Sequence, residues 1–532
     1  MDLTSMNRRK VLWSFIVLVA VTIVGVVVTN SIRRKKAREA ALPNGATPDS
    51  TEWIERMGDA VPAPVPTELP LVGPVGVDAD GYPTQWVDRP AMQSLLRHHR
   101  FDDLDRYFAD LQDRFEADPR KEYWIGDAAA AFASANADLA VLLDEWLKAK
   151  PASWAAYLAR GEHRIEMGLR TKPRNGGPDS LKVTPQGKAT LALAFEDLDQ
   201  ALALRPKLVE AMTEKLATEP PDAKAILDRA NVVCPTCFLP KVAYIVSRAP
   251  SYGGSYSEMS VFAAGWNASD NPRFAWLAGF VDADQCSWLV RKRDLVGAEA
   301  AITRALSHGD ASYFHVCRGR IRWHQQDIEG AFLEFDRANS IRHGSPSTLA
   351  MRASMARSSG RFEIAGESLR DAVRVDIRDP EVVSAWGGVM DALGSEGARR
   401  ARAGDAKGAS ALYDLTWQIQ PRDGQNLLWR ARVIANKEGG VLLPGDVEPL
   451  LASHPDDVGL RQAYDQLLSV QLAWDRIRAM WDAFIATHPN EPLAFMERAG
   501  TNHQLGNAAA AADDLKKACD LGWLEGCAGH PH

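Results

Sequence analysis

The chain has 532 residues, 46% of them hydrophobic, with 62 Lys+Arg against 69 Asp+Glu, a net charge of -7, 30 Pro, 39 Gly and 6 Cys. That much apolar material builds a large core, so disorder, a collagen and a small disulfide scaffold are excluded. A mean hydropathy of -0.24 excludes a polytopic membrane protein, and the length predicts two to four domains or one long repeat array.

Residues 1–10 are a short tail, and residues 11–29 read VLWSFIVLVAVTIVGVVVT, without a charge. As a helix this run spans roughly 28 Å, close to the hydrocarbon thickness of a bilayer. A cleaved signal peptide is the alternative, but the run exceeds the usual apolar region of one and Arg33, Arg34, Lys35 and Lys36 follow it directly. The expectation is a single uncleaved transmembrane helix, placed in a bacterial inner membrane. Arg8, Arg9 and Lys10 precede it and five basic residues between Arg33 and Arg38 follow it. That count points to a cytoplasmic body, whereas moving the basic tail across the membrane argues for the other side. The side of the body stays undecided.

Residues 1–40 carry eight of the Lys/Arg and two of the acids, which leaves 54 against 67, about -13, for the remainder. Nucleic-acid binding through a broad basic surface is therefore not expected. Residues 30–85 read as a basic and Pro-rich linker. Eight prolines between Pro43 and Pro83 predict an extended, semi-rigid stalk.

From Trp86 onward apolar residues recur at three and four, as in Leu104, Tyr107, Phe108, Leu111 and Phe115, with Pro or Gly between the runs. Alternating strand patterns are absent, so the body is predicted all-α. A repeat is legible within it. Gln326, Ala331, Phe335 and Ala338 recur at one constant offset as Gly360, Ala365, Leu369 and Ala372, and Ala298, Ile302 and Ala305 precede them by one position less than that offset. Cys286, Gly319 and Ala353 keep the same phase, small residues where paired helices approach most closely. Helix pairs of this length cannot bury their apolar face alone and must stack.

These residues resemble the tetratricopeptide repeat, as do Ala194, Leu198, Ala201 and Pro206; Gly404, Ala409, Tyr413 and Pro421 after a lengthened first helix; and Gly506, Ala511, Leu515 and Ala518. Thr416 departs from the pattern, residues 423–470 fit it poorly, and residues 170–188 interrupt it. The resemblance implies an α-solenoid of helix pairs, with repeats over 271–422 and further helical repeats over 423–532. Ala91-Met-Gln-Ser-Leu-Leu-Arg97, Phe101-Asp-Asp-Leu-Asp105, Phe115 to Tyr123 and Pro250 to Met259 are similar to a bacterial family of unknown function, number 4034. It implies a helical domain over 86–270 and no particular activity.

The candidates for chemistry are few. Cys234-Pro-Thr-Cys237 is a CxxC, either a redox pair or a helix-opening turn with two small buried side chains. Cys519 and Cys527 are too far apart on one helix to bridge, but a turn at Gly522 brings them together. The segment resembles Sel-one-like repeats, which implies a disulfide there; two free thiols are the alternative. Cys286 and Cys317 read as packing residues. Glu162, His163 and Glu166 cluster on one turn and read as a solvated face. No phosphate loop, nucleophile elbow or HExxH occurs, so no catalytic residue, metal, cofactor or small-molecule substrate is expected. The repeat resemblance places Arg291, Arg320, Trp323 and Arg357 on a groove for a protein or peptide, an acidic one if the guanidiniums are its contacts. A membrane-anchored scaffold is the expected function, and a cell-envelope enzyme or thiol redox factor using the CxxC is the alternative.

Overall fold

The structure, a computed structural model, describes residues 60–171, 183–218, 220, 222–421, 423–437 and 441–527. The expected transmembrane helix and first half of the linker lie outside these residues, and no helix among those described is long and apolar enough to cross a membrane.

The described residues are almost wholly helical. From Leu277 the helices run in antiparallel pairs: Leu277–Arg291 with Leu295–His308, Ser312–His324 with Ile328–Ile341, Pro346–Ser358 with Phe362–Asp376, and Pro380–Arg402 with Ala406–Ile419. Two more follow, Val458–Ser469 with Trp474–Thr487 and Pro492–Gln504 with Ala508–Asp520, while between the two sets Gly424–Ile434 packs on Ala406–Ile419 and Val458–Ser469, and Pro444–Ser453 packs on Val458–Ser469, so the poor fit of residues 423–470 to the repeat is a real departure. The long helix Pro380–Arg402 is the lengthened one expected from sequence. The exception to an all-helical body is a hairpin, Leu71–Val72 against Trp86–Val87, whose two-residue strands are too short to show alternation in sequence.

The turns within these six pairs and the turn that ends Gly424–Ile434 share one geometry. Each carries a left-handed residue: Arg293, Gln326, Gly360, Gly404, Asn436, Leu472 and Gly506. The next amide then reaches back five residues, as from Asp294 to Leu289 O (3.0 Å), Asp327 to Arg322 O (2.9 Å) and Arg361 to Ala356 O (2.8 Å). This termination satisfies carbonyls that the helix end leaves open. Asp294, Asp327 and Asp405 then cap the second helix, each accepting an amide at 2.9 Å three residues on. At Gly319 a Cβ would stand 2.8 Å from the Phe335 ring, so the small residue sets how closely the pair approaches.

A second repeated feature has no counterpart in the sequence reading. The residue before the small position is arginine on five helices, as Arg160, Arg318, Arg352, Arg430 and Arg498, and each binds an acid sixteen residues away on a neighbouring helix. Four of them hold a further side chain: Asp197, Ser368, Asp457 and Asp514. Helices are thus tied by charge as well as by apolar packing.

The prolines from 62 onward are not a free stalk. Ala60 and Ala63 are buried, Val61 N donates to Gln418 O (2.9 Å), Arg374 Nε donates to Val61 O (2.8 Å), and Ser94 Oγ donates to Ala63 O (2.6 Å). This strap and the helix Arg89–Arg97 lie against Phe362–Asp376, where Gln93 Nε2 donates to Val375 O at 2.6 Å. Arg170 and Ser134 both bind Asp376. The N-terminal helices therefore pack on a repeat from a distant part of the chain.

Candidate functional site

The expected groove residues lie on consecutive first helices. Arg291 is exposed, and its charge acts on Asp284, Tyr256 and Tyr313. Arg320 donates to Glu381 at 3.3 Å, two repeats ahead, and Arg357 lies over the backbone of Gly388, where an added Cβ would meet its Nη1 at 2.3 Å. Two of the three guanidiniums read as free are thus held against the helix Pro380–Arg402, which sequence spacing did not indicate. Trp323 is 48% exposed and stacks on His324 at 4.8 Å.

The open part of this face lies around Tyr313, which the sequence reading missed. Its hydroxyl meets Ser287 Oγ at 3.0 Å, and its ring is parallel to Phe280 at 6.3 Å. Burial raises the Tyr313 hydroxyl above its ordinary range; Asp284 pushes the same way, whereas Ser287, Arg320 and Arg291 oppose the rise. Tyr256, hydrogen-bonded to Asp284, is pushed up to about 12, by burial first and then by the Asp284 charge. The exposed aromatic residues among those described are Tyr252, Trp288, Tyr313 and Trp323. All fall between 252 and 323, a concentration visible only once burial is known.

The cysteines are all bridged: Cys234 with Cys237, Cys286 with Cys317, and Cys519 with Cys527. Cys234 and Cys237 are buried against Phe115 and Val209 in the turn between Ala223–Val233 and Leu239–Ser247. The Cys519–Cys527 bridge spans the left-handed Gly522. Cys286 and Cys317 correct the reading of them as mere packing residues. Cys286 is equivalent to Gly319 on the next first helix, and Cys317 is two residues before it, so side-by-side helices bring the sulfurs together.

Glu162 and His163 are also corrected, from solvated to buried, because Trp154–Leu169 is enclosed by Ala137–Ala149 and Pro185–Leu204 and touches Phe101–Ala117 and Glu122–Ala130. Burial lowers His163 to about 4, so it is neutral near pH 7. Glu162 and Glu210 titrate well above the usual carboxyl range, through burial first and then the Glu214 charge between them. Below the unfolded carboxyl pKa, about 4.3, both states hold these protons. Above it the unfolded chain releases them first, so this contribution to stability is lost as pH rises through the folded values. Glu162→Gln therefore raises the melting temperature at pH 7 and flattens its decline above pH 5; an unchanged slope would remove Glu162 from the account.

No curated protein matches the chain. Similar solved structures include the P58(IPK) TPR domain, with 10% identity over 80% of this chain and 98% of that chain and a TM-score of 0.22. A tetratricopeptide repeat protein from Parabacteroides merdae has 19% identity over 46% and 93%, with a TM-score of 0.21. Yeast Tom70 has 13% identity over 83% and 93%, also with a TM-score of 0.21. Residues 88–184, from the cap of the first described helix to the cap of Pro185–Leu204, match the family described as Domain of unknown function (DUF4034), a shorter stretch than the sequence resemblance implied.

Proposed function

We propose that the chain is a membrane-anchored, non-catalytic helical-repeat scaffold that binds a protein or peptide segment on the first helices Leu277–Arg291 and Ser312–His324. The observation that carries it is that these two helices expose Trp288, Tyr313 and Trp323, with the Arg291 and Arg320 charges acting at the Tyr313 hydroxyl. Trp, Tyr and Arg are the residues in which binding energy concentrates at interfaces, and exposed aromatics on an otherwise well-packed body mark such a surface. Residues 11–29 supply the anchor, and three disulfides using every cysteine support a body on the oxidising side of the membrane.

A photo-crosslinking residue at position 323 tests the binding face, with position 333, exposed on a second helix, as the control. A discrete adduct at 323 that is missing at 333 and lost with Arg291→Glu is expected. The same adducts at both positions sink the proposal. For topology, an impermeant reductant followed by an impermeant maleimide labels an external body in intact cells and leaves a cytoplasmic one unlabelled.

A further inference from the structure

A cleft of about 780 Å³ opens between the hairpin region 74–86, residues 120–127, Arg273 and Trp276, and the ends of the second helices near 306–310 and 337–343. It shares no residue with the aromatic face above, and its size falls in the range of small-molecule sites, about 300–1,000 Å³. Sequence spacing offers no reason to expect such a ligand, because the walls come from segments at distant points of the chain.

Four guanidiniums, Arg120, Arg273, Arg337 and Arg342, face four carboxylates, Asp78, Asp80, Asp127 and Asp310. Three of the carboxylates are hydrogen-bonded, and Asp80 is held by charge alone. Asp78 accepts the amides of Asp80 and Tyr82, both at 2.9 Å, and a bond from Arg273. Asp310 pairs with His315 at 2.6 Å and with Arg337, Asp127 accepts Arg89 at 2.8 Å, and Asp80 stands 3.5 Å from Arg273 Nε.

Donors are left over. Arg342, its side chain 42% exposed, has Asp127 at 3.9 Å as its nearest acid, beyond hydrogen-bond length and on the oxygen that Arg89 already uses. Arg273 is 7% exposed, lies 3.6 Å from the Tyr82 ring centroid, and has an Nε without a hydrogen-bond partner. A carboxylate only accepts, whereas a guanidinium offers five N–H groups, so the unused capacity is donor capacity. A ligand stacked on the aromatic walls fits less well. Trp86 has His343 on one face at 3.2 Å, a Cβ at Gly73 would stand 2.0 Å from its ring, and a Cβ at Gly309 would stand 2.2 Å from the Trp276 ring.

We propose that this cleft binds a small organic anion through a carboxylate or phosphate group, with Arg342 as the principal contact and Arg273 behind it. The planar fork of a guanidinium matches either group in a two-point contact. Calorimetric titration of the full chain with phenyl phosphate, benzoate and phenol tests it. At least one anion is expected to bind saturably, one per chain, about tenfold or more tighter than phenol, with the ratio of phenyl phosphate to benzoate naming the group. Arg342→Gln is expected to lose about tenfold in affinity while Arg291→Gln binds normally; because the Arg342 charge also acts on Asp127, Glu210 and Glu214, circular dichroism on the same samples checks that the variant is folded. Failure of both anions to bind, phenol binding equally well, or unaltered binding by Arg342→Gln overturns the assignment.

Discussion

Arg498→Met lowers the stability of the C-terminal repeats by about 2–3 kcal/mol, the range for stranding a buried charge. Arg498 holds both oxygens of Asp514, at 3.0 and 2.6 Å, and Asp482 at 2.8 Å. Asp514 is 7% exposed, and Asn502 at 3.0 Å is its other partner, so without the arginine an ionised carboxylate stays in the helix interface with one neutral donor. Asp482 is 52% exposed, and Asp482→Asn is expected to cost under about 1 kcal/mol, as exposed pairs do. Because stacked helix pairs depend chiefly on their neighbours, the lost amide protection concentrates in residues 458–520 when followed by hydrogen exchange. Equal losses from the two substitutions would show that burial of Asp514 is not what the arginine serves.

The same contrast between local and distant information decides what the sequence made legible. The spacing of Ala331, Phe335 and Ala338 against Ala365, Leu369 and Ala372 is a property of one helix and its partner, so it survives as a readable period. The turns were readable at Gly360, Gly404 and Gly506, where glycine announces a left-handed residue. They were hidden at Arg293, Gln326, Asn436 and Leu472, where other residues adopt it. The arginine before five of the small residues is equally plain as text, but its meaning depends on an acid sixteen residues away on another helix. Arg320 looked free because spacing says nothing of Glu381 arriving from two repeats ahead. Glu162 and His163 looked solvated because a charged turn belongs outside on a surface helix, and Trp154–Leu169 is not a surface helix. The packing of Arg89–Arg97 on Phe362–Asp376 joins parts of the chain that no local pattern connects.

Replacing both Cys286 and Cys317 by alanine gives the largest loss among the three disulfides and also weakens the proposed binding face. The sequence separations are 31, 8 and 3 residues for Cys286–Cys317, Cys519–Cys527 and Cys234–Cys237. Loop-closure entropy then assigns roughly 3.7, 2.6 and 1.9 kcal/mol to them in that order. The longest loop also links helices of successive repeats, whereas the other two bridges close single turns. Ser287, next to Cys286, carries the hydrogen bond to Tyr313, and its hydroxyl lies 3.9 Å from the Cys317 sulfur. The bridge therefore fixes the two helices that bear Trp288 and Trp323 at the spacing a partner meets, and an ordered surface loses less entropy on binding. Denaturant midpoints under oxidising conditions rank the three double variants, and the crosslink at position 323 reads the surface. A smaller loss for Cys286/Cys317 than for Cys234/Cys237 contradicts the loop argument, and an undiminished crosslink in a destabilised Cys286/Cys317 variant separates the face from the bridge beneath it.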